Sequence, residues 1–174
     1  MAYRNKTFVS FDSEDLHYYR LMCAWKENEG IDFHFLDAHD LNTARDTSQP
    51  KTIKRRLRER LSNTKQVVML IGDNTRQKAA RSYSFLHYEV TTIVDLEIPV
   101  VFANLNKCKE SESHRIPKAL LDRYSMSVAF GPSIIKYALD NFPSKYHDNL
   151  DSAEDSQKTG PYYYKKSVYT KIQR

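Results

Sequence analysis

Apolar and polar positions alternate along this chain in blocks, short apolar runs taking turns with amphipathic stretches. The clearest run is Val67-Val68-Met69-Leu70-Ile71-Gly72, continuously apolar and closed by a glycine, the pattern of a strand buried on both faces of a parallel sheet. Residues 7–11 and 31–36 read as the first and second strands, 99–103 as the fourth and 126–130 as the fifth. Between them lie helical patterns. The acidic start Asp12-Ser13-Glu14-Asp15, with Ser13 as candidate N-cap, opens a helix to about Asn28 whose apolar face is Leu16, Tyr19, Leu21, Met22, Cys23 and Trp25, and Gly30 ends it. Ile53, Leu57 and Leu61 mark a helix over 51–62, and Leu86, Val90, Ile93 and Val94 mark another running to about Glu97. A short helix over 116–123 and a last one from Gly131-Pro132 to about Asn141 complete the set. Five alternations of strand and helix predict a three-layer α/β/α domain with a five-stranded parallel sheet, occupying residues 1–146.

Beyond that point the character changes. Asp148, Asp151, Glu154 and Asp155 form an acidic linker, and Gly160-Pro161 leads into a Tyr- and Lys-rich end, open to being a docked strand, an oligomer contact or disordered, with a mobile linker and a weakly docking end favoured for 147–174. A 14-residue polar loop, 37–50, with Asp37, His39, Asp40, Arg45 and Asp46, is long for a compact domain, and such loops are often functional.

Charge changes the picture little. The formal net charge is +5, from 27 basic and 22 acidic residues, and much of the excess sits in 51–60. Because apolar residues recur there at four-residue spacing, this is an amphipathic helix with a basic outer face; a nucleic-acid partner is not expected, though the face could help attract a phosphorylated substrate. Cys23 and Cys108 are far apart, which implies neither a zinc site nor a disulfide framework. With no signal-peptide core and no apolar run long enough to span a bilayer, a soluble cytoplasmic protein with no membrane attachment is expected.

The candidate chemistry centres on Glu89. At about 100° per residue it lies roughly 60° from Leu86, at the edge of the apolar stripe, with Phe85 one turn before it. A carboxylate beside an aromatic, near the carboxyl end of a central strand, is where an open α/β sheet places a ligand; the same spacing also suits an ordinary solvated glutamate. Known ligand loops can be tested against the sequence. A dinucleotide-binding turn and a P-loop both need glycines after a strand, and none of the four glycines lies after the first strand. A phosphoacceptor receiver would want a lysine ending strand five, where the chain has Phe130-Gly131-Pro132. The acidic loop after strand one would repel a flavin phosphate.

Taken in order, Phe8-Val9-Ser10-Phe11, the following Ser13-Glu14-Asp15, the polar loop opened by Asp37, Val67–Gly72 and Phe85-Leu86-His87-Tyr88-Glu89 resemble the Toll/interleukin-1 receptor (TIR) domain, and most closely the TIR-like proteins of the Thoeris antiphage defence system. The resemblance covers roughly residues 6–142 and implies a flavodoxin-like TIR fold. In enzymatic TIR domains a WxxxE motif supplies a glutamate needed to cleave NAD; Phe85 and Glu89 match its ends, with Phe in place of Trp. The resemblance therefore implies Glu89 as the catalytic residue, with Ser10, Phe11, Asp12, Asp37 and Phe85 around the substrate. NAD would be substrate rather than cofactor, with no metal. Phe11 is also a candidate for plain core packing.

The implied activity is that of an NAD glycohydrolase or ADP-ribosyl cyclase-like hydrolase making a linear, cyclic or conjugated ADP-ribose signal in antiphage defence. A separate effector would sense the product, a phage component would be the trigger, and activity would require homo-oligomerisation. Two other readings stay open: a non-catalytic interaction TIR, and a nucleoside ribosyl-transferring enzyme of similar fold.

Overall fold

The computed structural model describes residues 6–37 and 50–173. Its elements are β1 (Lys6–Ser10), a 3-10 turn (Ser13–Asp15), α1 (Leu16–Glu27), β2 (Leu36–Asp37), α2 (Pro50–Ser62), β3 (Gln66–Ile71), α3 (Thr75–Ala79), α4 (Phe85–Asp95), β4 (Val100–Asn104), α5 (Lys118–Leu121), β5 (Ser125–Ala129), α6 (Pro132–Leu150), a second 3-10 turn (Glu154–Ser156), β6 (Pro161–Tyr163) and α7 (Lys166–Ile172). The strands form one sheet in the order β2-β1-β3-β4-β5-β6, and every pair is parallel.

Alternation along each strand sends side chains into two separate cores. Val9, Val68, Leu70, Val101 and Val128 face α1, α6 and α7, where they meet Tyr19, Met22, Ile135, Leu139 and Phe142. Phe8, Val67, Met69, Ile71, Val100 and Phe102 face α2–α5 and pack on Leu57, Leu61, Leu86, Val90 and Ile93. With both faces covered, β3 is buried throughout, which is why its sequence is apolar without alternation. This is the expected three-layer α/β/α fold.

Four details depart from the sequence expectation. The second strand is two residues long: its register, Lys6 opposite Leu36, sets 31–35 beyond the described start of β1, and turn-like hydrogen bonds at Ile31 and Phe33 divert the backbone while Phe33 and Phe35 still fill the core. An unexpected short helix, α3, follows β3. Helix α6 runs through Pro143 to Leu150, because Phe142, Pro143 and Tyr146 continue its buried face.

The fourth concerns the C-terminal segment. Rather than a mobile linker and weakly docked tail, it supplies a sixth strand and a helix. Strand β6 covers the edge that β5 would otherwise expose, and buried Tyr169 on α7 places its hydroxyl oxygen to accept the Ala129 backbone N–H at 3.0 Å.

Candidate active site

The carboxyl ends of β1 and β3 and the start of α4 meet on the α2–α5 side of the sheet. Since Phe8 points into that layer, Ser10, two residues on, does so too. It is fully buried, and its Oγ donates to Glu89 Oε2 at 2.5 Å. Glu89 itself is only 7% exposed, so it is not a glutamate on a solvated helix face. Burial raises its pKa from 4.5 to about 7, against the smaller opposing effect of the Ser10 hydroxyl, which favours the carboxylate. Near neutrality the group is therefore split between its two protonation states.

Helix α4 is aimed by its own beginning. Ser84 is its N-cap, the side-chain oxygen accepting the His87 N–H at 3.0 Å and the hydroxyl donating to Lys78 O at 2.7 Å. His87 turns its Nδ1 to Ala79 O at 2.7 Å, a structural task. Phe85, the first residue of α4, is 45% exposed one turn before Glu89. Its ring is available at the rim.

The loop after β1 forms the facing wall. Asp12 is buried; Lys78 Nζ lies 3.4 Å from its Oδ1, while Oδ2 has no hydrogen-bond partner. Glu14 takes Asn74 Nδ2 at 2.8 Å and Lys78 Nζ at 3.2 Å, contacts that hold its pKa below the usual value. Burial, with the nearby Asp12 charge, raises the pKa of Asp15. The Asp15 carboxylate lies over Gly72, where an added Cβ would stand 2.5 Å from Oδ2. Gly72 is thus a contact requirement of the rim as well as the end of a strand.

Of the residues singled out in the sequence, the structure brings Ser10 and Glu89 into contact and sets Asp12 and Phe85 on the surrounding rim. It sends Phe11 elsewhere: the ring stacks on Tyr19 at a centroid distance of 5.0 Å and packs against the other core, which fits the packing alternative. Asp37 pairs through its backbone with Thr7 at the sheet edge, and the rest of the polar loop it opens, with His39, lies outside the described residues. Lys78 and Ser84 were not singled out. A Ser three residues before His87 is a legible N-cap signal, whereas nothing local marks Lys78.

An all-parallel α/β sheet in this order, with a buried carboxylate on the helix beyond β3, defines a TIR-like domain. Residues 8–110 match the family described as Thoeris protein ThsB, TIR-like domain, and the chain belongs to that family. It is thereby a TIR module related to defence. No curated protein matches the chain. The matched stretch ends in the loop after β4, so α5, β5, α6, β6 and α7 lie beyond it. Among the described residues no helix is long and apolar enough to cross a membrane.

Proposed function

We propose that this protein is a TIR-type NAD-consuming enzyme and that Glu89 is its catalytic residue. The observation that carries the reading is the buried Glu89 carboxyl, held by Ser10 at the sheet rim and titrating near neutrality. In the reaction the C1′–N bond between ribose and nicotinamide breaks, and its electron pair leaves on the ring nitrogen. Neutral nicotinamide departs without needing a proton. Positive charge develops on the ribose, as in glycoside hydrolysis, and the Glu89 carboxylate stabilises it. Water then adds its oxygen to C1′ and loses a proton, giving ADP-ribose; a nucleophile within the same molecule would instead give a cyclic product. Asp12 Oδ2, a buried acceptor with no donor, suits a ribose hydroxyl, and Phe85 offers a ring for stacking.

The product would act as a defence signal sensed by a separate effector, made on phage infection by an assembled form of the enzyme. The test follows NAD and nicotinamide by chromatography, with purified protein alone and with phage-infected cell extract. Turnover is expected in the wild type and a loss of at least about 100-fold in Glu89→Gln. Full activity in Glu89→Gln would refute the assignment.

A non-catalytic interaction module is the second reading, favoured by the exposed rings of Tyr83 (78%) and Phe85 at the start of α4. Defence signalling that persists in cells carrying Glu89→Gln would support it.

A further inference from the structure

We infer that Lys78 is a positioning residue of this site, closing a ring of contacts that ties the loop after β1, which begins next to Ser10, to the start of α4, which carries Glu89. The inference rests on the reading of Glu89 as the reacting carboxylate. Lysine usually keeps its ammonium in water, but the Lys78 side chain is only 22% exposed and reaches across to the loop after β1. There it meets Asp12 Oδ1 at 3.4 Å and Glu14 Oε1 at 3.2 Å. Asn74, at the start of the same short helix, donates to the other Glu14 oxygen at 2.8 Å. Helix α3 is thereby tied to the loop that begins next to Ser10.

The backbone of α3 is tied equally well to α4. Lys78 O accepts the Ser84 hydroxyl at 2.7 Å, and Ala79 O meets His87 Nδ1 at 2.7 Å. Glu89 stands two residues beyond His87. Following the contacts from Ser10 leads through Asp12, the Lys78 side chain, the Lys78 carbonyl, Ser84 and the first turn of α4 to Glu89, and so back to Ser10. Asn74 and Lys78 both tie α3 to the loop after β1, and of the two the Lys78 side chain is the one that reaches the buried Asp12. Cutting the Lys78 link leaves Glu14 held by Asn74 but loosens Asp12, two residues from Ser10, and lets water reach the Glu89 carboxyl.

This role differs from a direct electrostatic one, and the two give opposite signs. Burial and the Ser10 hydroxyl set the proton affinity of Glu89. If Lys78 acted on Glu89 through its charge, removing it would make the carboxyl hold its proton more tightly. If Lys78 acts by position, removing it hydrates Glu89 and lowers the titration midpoint towards the ordinary carboxylate value.

The experiment compares wild type, Lys78→Met and Lys78→Arg in the full chain. It follows the Glu89 carboxyl by carbon-13 NMR, with melting curves confirming that each variant is folded. Lys78→Met is expected to lower the midpoint by about one unit or more, while Lys78→Arg, which still spans to Asp12, keeps it. In NAD turnover the Met variant should lose kcat and show a raised KM, since Asp12 is carried on the loosened loop. A midpoint in Lys78→Met that is unchanged or higher overturns the inference. Should Lys78→Met fail to fold, Ser84→Ala opens the same ring at its uncharged joint and is read in the same way. A wild type without NAD turnover would remove the enzymatic reading, and the titration would still decide whether Lys78 positions Glu89.

Discussion

Glu89 is a residue the fold holds at a cost. Its folded pKa of about 7 lies above its ordinary value of 4.5, so the folded protein keeps a proton that the unfolded chain has already released in the window between them. The contribution to stability is complete below about pH 4.5 and is lost as pH rises through 7. A shift of this size corresponds to about 3 kcal/mol. Glutamine has the same shape, can still accept from Ser10 and carries no charge. Glu89→Gln is therefore expected to melt increasingly above wild type as pH rises from about 5 to about 8.5, with the difference closing at the acid end. A difference independent of pH would refute the burial argument. The sequence disclosed where this glutamate stands on its helix but not how deep it lies. Depth depends on Ser10, which is 79 residues away, and on an α3 that no local pattern announces.

Among the elements, four of the six strands were legible, most plainly 67–71, where burial on both faces writes itself as uninterrupted apolar residues, whereas β2 shrank to Leu36–Asp37 and β6 was not read. Helix α3 was not: five residues, mostly polar, contain too little of a period to register. The last helix, expected to end at about Asn141, runs on through Pro143 because Phe142 and Tyr146 continue its buried face. The turn after β3 shows a subtler limit, since Gly72 reads in the sequence as punctuation. In the fold it lets the Asp15 carboxylate lie against the end of β3, and Thr75 Oγ accepts its N–H at 2.9 Å. Gly72→Ala is expected to push the Asp15 carboxylate aside at a cost of no more than about 1 kcal/mol in urea unfolding, because the atoms in the way are the end of a flexible side chain. A loss well above that would show that Asp15 is locked in place.

At the scale of the whole molecule, the chief surprise is that the acidic and tyrosine-rich end completes the sheet. Composition pointed to a solvated linker; the long-range contacts that reverse this are spread over single residues. Tyr162 packs edge-on against Tyr124, Tyr164 against Tyr137, and Tyr169 reaches the backbone of β5. Tyr169→Phe keeps the ring and leaves the Ala129 N–H without that acceptor. It is expected to cost about 1–3 kcal/mol, measured as a lower midpoint in thermal or urea melts. No change would mean that β6 and α7 are held by packing alone.

The all-parallel sheet also governs how this protein comes into being. No strand can pair with its sequence neighbour through a tight hairpin: Thr7 must find Gln66, Val67 must find Val100, and Ser125 must find Pro161. Each ladder closes a long loop before it returns any contact energy, so folding is expected to be slow for a chain of this size. The Ser10–Glu89 pair comes from opposite sides of one of those closures. A nascent or partly folded chain has neither the buried carboxyl nor its altered proton affinity. Whatever chemistry this rim performs is withheld until β1 has docked beside β3.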